Sequence, residues 1–336
     1  MPRPAFLAPV VRRGRSALQA LARRPRPRSA LQRVVHELEK ALADDVYDGS
    51  YFGEGRDPLD RMGLSGYERY DRQTSNADVA AYLVWRFFDV QRTLDVGCAM
   101  GYVVEALREL GIEAEGTDVS QWAVDHAAPG ARGHLFWGNL LHRLPVPDGR
   151  YDLVTALETL EHLPPDDVPA ALRELRRVTR GYLFATIPSF GPNKHGPGGW
   201  FDVKVRPERL EHYRGLGPAY DGPVPYDDLF RDARGEPIEG HLTIASFRWW
   251  TQQFADAGFV RCGTTERLMH PHLARLGLTK YWNLYVLRAP DVAEPVADAR
   301  GGEEIARVER QWGLDARVAD PADVQAVEDA LARPTG

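Results

Sequence analysis

Three ionisable side chains, Glu158, Glu161 and His162, are the best-equipped part of this sequence for chemistry. The two glutamates are three residues apart and His162 lies four after Glu158, so one helical turn would place all three groups on one face. Such a face could hold a divalent cation, could accept or orient a proton during a reaction, or could serve the local structure alone. The sequence leaves these three interpretations open.

A glycine loop lies upstream of these residues. Residues 93–102, TLDVGCAMGY, run from a short apolar segment through Gly97 and Gly101 into a helical pattern. Glycine lets the backbone turn sharply and approach a ligand closely. An acidic residue follows about twenty residues later in the run 116–118, GTD, at the spacing that suits ribose hydroxyls. The spacing therefore predicts a nucleotide-cofactor pocket, but not a dinucleotide site, because positions 99 and 102 lack the required glycines.

This loop resembles the first motif of the class I S-adenosylmethionine-dependent methyltransferases, an acidic residue followed by G-x-G-x-G. Asp95, Gly97 and Gly101 match the motif, and Ala99 replaces its middle glycine. The resemblance implies S-adenosylmethionine as cofactor, with Asp118 on the ribose and Asn139 facing the adenine amino group. It also implies cofactor contacts from Cys98, Ala99, Val119, Leu140 and Leu157, and from Arg72 beside the methionine carboxylate.

The fold predicted with this resemblance is α/β, a seven-stranded Rossmann-like methyltransferase sheet, mostly parallel with an antiparallel last strand, with helices on both faces. Alternating strand and helix patterns support a parallel sheet with its ligand at the carboxyl ends of the strands. After the first strand at the glycine loop, strands are expected at Glu113–Asp118, His134–Leu140, Tyr151–Leu157, Gly181–Pro188, Phe259–Gly263 and Trp282–Leu287, the last two as a hairpin. Helices are expected at Asn76–Val90, Pro165–Thr179 and Ser246–Ala257.

A run similar to Glu158–His162 binds a divalent metal in the ubiquinone-pathway O-methyltransferases and in the small-RNA 2′-O-methyltransferases. In those enzymes a further histidine comes from downstream, and His241 is the matching residue. The resemblance thus implies a metal set of Glu158, Glu161, His162 and His241, which suits Mn²⁺ or Zn²⁺ better than Mg²⁺ because of its nitrogen ligands. The alternatives stay open: His162 or His241 as general base, with Glu158 as a further catalytic candidate, or a purely structural role.

Residues 189–240 predict a substrate lid, because about fifty residues between core elements exceed the usual connection length. The segment carries aromatic side chains that could stack on sugar rings or pack the insertion onto the core: Trp200, Phe201, Tyr213, Tyr220 and Tyr226.

The chain divides by composition around this core. We expect a basic tail at 1–30, a helical and aromatic cap at 31–92 and the cofactor-binding core at 93–188; for the cap, the resemblance implies that Tyr67 and Tyr70 line the pocket, the alternative being that they are ordinary packing residues. After the insertion come the end of the core at 241–288 and an acidic tail at 289–336, with helices at Glu303–Trp312 and Asp320–Leu331.

Composition limits the class of protein. Two cysteines without metal-ligand spacing favour a reducing, cytoplasmic location, and no apolar run approaches the roughly 20 residues that span a bilayer. The net charge is −6, and the nine arginines before Glu37 lack interleaved aromatic residues, which argues against a nucleic-acid partner. The oligomeric state is not predicted.

The expected activity is O-methylation of a hydroxylated small molecule, such as a sugar or a glycosylated metabolite. A hydroxyl acceptor gains from proton removal, and histidine has a suitable pKa for that role. The alternatives are N-methylation of an amino sugar, RNA 2′-O-methylation, and a cofactor-binding scaffold without catalysis.

Overall fold

The computed structural model describes residues 37–43, 46–54, 69–190, 204–216, 220–231, 235, 237–276 and 284–315. The expectations for the basic tail, for Tyr67, for Trp200 and Phe201, and for the last acidic helix lie outside these residues.

A single seven-stranded sheet forms the centre of the described structure, in the order β3-β2-β1-β4-β5-β7-β6. Its strands are β1 Arg92–Val96, β2 Glu113–Asp118, β3 Leu135–Trp137, β4 Tyr151–Leu157, β5 Thr179–Thr186, β6 Val260–Arg261 and β7 Leu284–Arg288. All neighbouring pairs from β3 to β5 are parallel, and β7 runs antiparallel to both β5 and β6. This confirms the predicted fold class, a seven-stranded sheet that is mostly parallel and whose last strand is antiparallel.

Helices cover both faces of this sheet. They are α1 Ala77–Phe87, α2 Tyr102–Glu109, α3 Gln121–Asp125, α4 Val168–Val178, α5 Pro207–Leu216, α6 Phe247–Asp256, α7 Gly263–Arg275 and α8 Gly302–Gln311. One core cluster contains α1, α2, part of α7 and α8, and the second contains α4 and α6. The apolar stripes expected at helical spacing therefore face the sheet, as burial of one helix face requires.

The expected hairpin of β6 and β7 was wrong, since α7 separates the two strands. Met269 and Leu273 lie buried at helical spacing on this helix. Glu266 is fully buried on this helix. Its carboxylate is satisfied there because it accepts hydrogen bonds from the backbone N–H of Val286 and from the Arg261 side chain. The two strands still pair antiparallel, so the helix changes the connection and not the sheet.

Helix α1 begins after Asn76, at the start of the range predicted for it. Asn76 lies in the left-handed region (φ 53°), and its side chain makes no capping bond. Asparagine is among the few residues that tolerate this backbone, so it serves as a turn residue here. Within the described part of the chain, no helix is both long and apolar enough to cross a membrane.

Candidate active site

The glycine loop follows β1 and packs against the turn that carries the Glu-His run. Gly97 has a φ of 68°, and a Cβ there would lie 2.4 Å from Thr159 Oγ1. Gly101 has a φ of 76° at the start of α2, where a Cβ would lie 2.9 Å from Ala131. A side chain at Gly97 would therefore push the loop away from the turn after β4.

Asp118 fastens the loop to the end of β2. One carboxylate oxygen accepts the Ala99 backbone N–H at 2.8 Å, and the other accepts that of Ser120 at 2.8 Å. The nearby side chain of Asn139 accepts the backbone N–H of Leu141 at 2.9 Å, and the Val119 carbonyl accepts the Trp137 indole N–H at 2.8 Å. These bonds hold the carboxyl ends of β2 and β3 in fixed positions around the loop.

Asp95 supplies a buried negative group on the opposite side of the loop. Its carboxylate accepts the Thr155 hydroxyl at 2.6 Å. Burial raises the pKa of Asp95 to about 7; the Thr155 bond opposes that rise, and the charge of Asp118 adds to it. The carboxylate is therefore held where a cation would lower its free energy.

A cavity at the carboxyl ends of β1, β4 and β5 contains both this carboxylate and part of the Glu-His run. Its polar wall comes from Ser75, Asn76, Asp95, Glu158 and Thr186, together with the backbone at Gly97. Its apolar wall comes from Val79, Leu83, Phe184, Leu273 and Leu284, and Tyr70 of the cap also lines it. Residues expected to bind a cofactor and a residue expected to do chemistry therefore share one cavity.

The Glu-His run does not form the expected α-helical turn. A short 3-10 turn spans Leu160–His162, and Glu158 precedes it with a left-handed backbone (φ 49°). The Glu158 N–H continues the β4–β5 pairing by donating to the Thr186 carbonyl at 2.9 Å. Glu158 consequently points into the cavity, while Glu161 is completely buried beside His162 and His241.

His241 joins this cluster from the far end of the insertion. Its Nε2 lies 3.9 Å from a Glu161 oxygen, and its ring centre lies 4.9 Å from that of His162. His162 Nδ1 is 3.2 Å from the Gly240 carbonyl, an acceptor, so Nδ1 carries the proton and Nε2 is free to accept. Three groups could therefore approach one ion: Glu161, His162 and His241 each offer an atom within 4.8 Å of the others.

Burial determines the protonation of this cluster. It raises the pKa of Glu161 well above the ordinary range, and the charge of Glu158 adds to that rise. It raises the pKa of Glu158 as well. Burial lowers the pKa of His162 to about 4, and lowers that of His241 well below its usual value. Both imidazoles are therefore neutral near pH 7.

Two further residues of the insertion reach the cluster, and neither was expected from the sequence. Lys204 is 6% exposed and forms an ion pair with Glu239. The same Glu239 oxygen lies 3.8 Å from His241 Nε2. No periodic pattern marks either residue, although the run Glu239-Gly240-His241 is a turn-like signal beside the expected histidine.

Left-handed backbone is concentrated around this site. In the described part of the chain, the non-glycine residues with positive φ are Asn76, Ala99, Glu158 and Glu239, at 47–58°. Each costs about 1–2 kcal/mol relative to ordinary backbone. All four lie at the cavity, in the glycine loop or beside the Glu-His cluster, where such strain persists because the surrounding contacts impose it.

Comparison with known proteins agrees with this geometry. A family model described as a methyltransferase domain matches residues 67–261, more than half of the chain. The chain belongs to this methyltransferase family. Membership confirms a class I S-adenosylmethionine-dependent methyltransferase and S-adenosylmethionine as its cofactor.

Individual relatives of this methyltransferase match only its central part. A ubiquinone biosynthesis O-methyltransferase of Burkholderia orbicola is 29% identical over 37% of this chain and 62% of its own length. A malonyl-[acyl-carrier protein] O-methyltransferase of Serratia marcescens is 31% identical over 29% of this chain and 38% of its own. The chain thus spans less than two thirds of either relative.

Solved structures with a similar fold are more distant in sequence. The magnesium protoporphyrin IX methyltransferase of Synechocystis PCC 6803, solved with S-adenosylhomocysteine, is 18% identical, covering 76% of this chain and 98% of that one, with a TM-score of 0.41. The PH0226 protein of Pyrococcus horikoshii OT3 is 15% identical, covering 62% and 92%, with a TM-score of 0.40.

The residues of this methyltransferase fit its cofactor. S-adenosylmethionine carries a sulfonium and an ammonium group, both of them cationic. The buried Asp95 carboxylate lines the cavity, and none of the groups that shift its pKa is a cation. Asp118, at the end of β2, is the acidic residue that the sequence predicts for the ribose, although it does not line this cavity, whereas Cys98 and Leu157 line it beside Gly97. We retain these residues as proposed cofactor contacts.

Arg72 does not fit its predicted role beside the methionine carboxylate. All three of its guanidinium nitrogens bind protein carboxylates, those of Asp78, Glu105 and Glu109. These pairs tie the segment before α1 to α2, so the guanidinium is already neutralised. Ser75 and Asn76, at the start of α1, line the cavity in its place.

The aromatic side chains are divided between two clusters. Tyr213 and Tyr220 are buried against Phe190 within the insertion, so they pack the insertion instead of offering faces for stacking. In the cap, Phe52 stacks on Trp122 of α3 with ring centres 5.4 Å apart, beside Ala99 of the glycine loop. The cap therefore covers the loop, a contact that the sequence analysis did not assign to Phe52 or Trp122.

Proposed function

We propose that this methyltransferase transfers a methyl group from S-adenosylmethionine to a hydroxyl group of a small molecule. One observation carries the proposal: Glu158 lines the same cavity as Asp95 and Gly97. A proton acceptor thus lies beside the residues proposed to hold the cofactor. A hydroxyl needs such an acceptor, whereas an amine needs only to be uncharged.

The chain would contribute alignment and proton removal to this reaction. The bound cofactor supplies an activated methyl group, and orientation of the acceptor can lower the barrier by roughly 7–11 kcal/mol. Glu158 is suited to take the hydroxyl proton, because burial raises its pKa toward the working range of a general base. The neutral His162 and His241 lie behind it as further acceptors, and the proposed catalytic residues are therefore Glu158, His162 and His241.

The finer choice of acceptor depends on the cavity. The sugar or glycosylated acceptor was inferred from aromatic residues of the insertion, and the burial of Tyr213 and Tyr220 removes two of these from its support. The apolar wall formed by Val79, Leu83 and Phe184 favours a hydroxyl carried on an apolar skeleton. We therefore propose a hydroxylated small molecule with an apolar portion, a glycosylated metabolite being one form.

A radiolabelled methyl-transfer screen tests this proposal. The panel would contain phenols, hydroxylated apolar metabolites, glycosylated metabolites, amino sugars and RNA, with the labelled atom located in each product. For the acceptor found, Glu158→Gln should lower turnover by about 10²–10⁴-fold with the KM for S-adenosylmethionine unchanged. Glu304→Gln, on the outer surface of α8, is the matched control and should retain full turnover.

Two results would contradict the proposal. Transfer confined to amines or to RNA would refute the hydroxyl acceptor. Full turnover by a folded Glu158→Gln enzyme would refute the role of this carboxyl.

A further inference from the structure

The buried cluster behind Glu158 contains ionisable groups whose charge would have no obvious compensation. Both carboxylate oxygens of Glu161 and Nδ1 of His241 are buried without a hydrogen-bond partner among the described residues. An ionised carboxylate in such surroundings is costly unless a cation neutralises it. Some positive group must therefore accompany Glu161 when it is ionised.

A divalent metal is one candidate, but the surroundings do not fit it. The atoms that approach one another belong to Glu161, His162 and His241, and the fourth expected ligand, Glu158, is outside this group. A protein ammonium, that of Lys204, already lies at the edge of the cluster. It is bound to the Glu239 oxygen that lies 3.8 Å from His241 Nε2, so a divalent cation would face a like charge.

We propose that Lys204 is the resident cation of the cluster formed by Glu158, Glu161, His162 and His241, in place of a divalent metal. Lys204 is a positioning residue, since it acts through Glu239 and the cluster and not on the methyl acceptor. This inference rests on the proposed function for its catalytic meaning. The assignment of the cation itself does not depend on the acceptor.

A chain of close contacts joins Lys204 to the cluster. The buried ammonium binds Glu239, whose oxygen lies 3.8 Å from His241 Nε2. The same nitrogen of His241 lies 3.9 Å from a Glu161 oxygen, so the ammonium is connected to the buried carboxylate through two side chains.

Hydrogen bonds at the C-terminal end of the insertion join it to the turn that carries the cluster. The backbone N–H groups of Leu242 and Thr243 donate to the Glu161 carbonyl at 2.8 and 2.9 Å. The Gly240 carbonyl accepts the proton of His162 Nδ1, and the Thr243 hydroxyl donates to the Leu163 carbonyl. These contacts fix Lys204 and Glu239 relative to the turn after β4. The insertion therefore contributes charged groups to the site.

The choice of lysine is itself informative. Four of the 42 basic residues in the chain are lysine, and the rest are arginine. A compact ammonium on a flexible stem fits a narrow buried position, whereas a guanidinium needs a planar fork of acceptors. Because arginine is the usual basic residue of this chain, a position that required only positive charge would be expected to carry arginine.

Metal titration of the tag-free, full-length protein tests the assignment without any acceptor. In calorimetry with Mn²⁺ or Zn²⁺, the wild type should show no stoichiometric site, and Lys204→Met should gain one that disappears when Glu161→Gln is added. Lys40→Met removes the other lysine of the described chain and should leave metal binding as in the wild type. Thermal melting identifies variants that fail to fold.

Turnover on an acceptor found in the screen gives a second readout. Wild-type activity should be unchanged by EDTA, and Lys204→Ala should lose at least tenfold in kcat at constant KM for the cofactor, with partial recovery in added ethylammonium. Lys204→Arg, the conservative variant, should fold and recover less than the amine does.

Two results would overturn the inference. One is a stoichiometric metal site in the wild type whose removal by EDTA abolishes turnover. The other is a folded Lys204→Met protein with neither a new metal site nor reduced turnover. Failure of the acceptor screen would instead count against the proposed function and leave the calorimetric test intact.

Discussion

Single residues at this site combine burial with charge, and Asp95 is the clearest case. Its carboxylate lies at the cavity that we propose for the cofactor, bonded to Thr155, with a pKa raised to about 7. The apoprotein therefore binds a proton there at mildly acidic pH. A cationic cofactor needs the ionised form, so cofactor binding should displace that proton.

The affinity for S-adenosylmethionine should consequently fall as the pH decreases below 7. With a pKa of about 7, half of the Asp95 groups are ionised at pH 7 and roughly one in eleven at pH 6, so the dissociation constant should rise about fivefold between these two pH values and nearly tenfold for each further unit below pH 6. Above pH 8 the affinity should be constant. Calorimetry between pH 5.5 and 8.5 measures this dependence.

Two controls isolate Asp95 as the titrating group. Asp95→Asn should bind the cofactor more weakly at pH 8 and show almost no pH dependence. S-adenosylhomocysteine lacks the sulfonium charge and should show a shallower dependence than the cofactor. An affinity for S-adenosylmethionine that stays flat between pH 5.5 and 7.5 in the wild type would contradict this assignment.

At the scale of elements, the C-terminal helix is a structural part of the fold. Helix α8 was expected from its sequence, but not its place: Ile305, Val308 and Leu314 join the core cluster that contains α1. Glu309 at its end binds the Tyr82 hydroxyl and the Arg275 side chain. The segment thus holds α1, and through α1 the wall of the cavity.

Truncation of one buried side chain tests this role. Leu314→Ala should lower the free energy of unfolding by about 2–5 kcal/mol, because Leu314 is fully buried and the change leaves a cavity. Val296→Ala is a matched control, since Val296 is 63% exposed, and it should change stability by less than about 0.5 kcal/mol. Urea unfolding compares the two. Equal stabilities would show that the tail is not part of the core.

The elements that sequence reasoning missed have a physical explanation. Helix α7 contains Pro271, a residue that normally ends or kinks a helix, and its tertiary contacts override that local preference. Expected strand His134–Leu140 is shorter in the structure, at Leu135–Trp137, because its pairing with β2 ends where Trp137 lies opposite Asp118. Local patterns give the type of an element more reliably than its bounds.

At the scale of the whole molecule, the sheet carries the glycine loop, and described residues of the insertion reach the Glu-His cluster through Lys204 and Glu239. Replacement of residues 191–239 by a short linker removes Lys204 and Glu239 but leaves Asp95, Asp118 and the glycine loop. We expect cofactor affinity within about threefold of the wild type, and turnover reduced by at least about 10²-fold. Calorimetry and the radiolabelled assay measure the two quantities.

One result for the shortened protein would contradict this expectation. If the shortened protein folds and still methylates the same acceptor at the wild-type rate, the insertion is neither a lid nor part of the site. Melting curves are needed beside both assays, because Phe190 and Ile244 lose their packing partners Tyr213 and Val224 in this variant.

The sequence by itself determined the family, the fold class and the cofactor of this protein. Gly97 and Gly101, the acid at Asp118 and the alternating strands depend on local spacing, which one chain reveals because each motif fits within a single turn or strand–turn–helix unit. Only the tertiary structure decided how the remaining groups are used. In the structure, Arg72 forms ion pairs with carboxylates of α2, and Lys204 and Glu239 lie beside Glu161 and His241. Contacts between residues distant in the chain carry no periodic signal, because the folded path of the backbone alone brings them together.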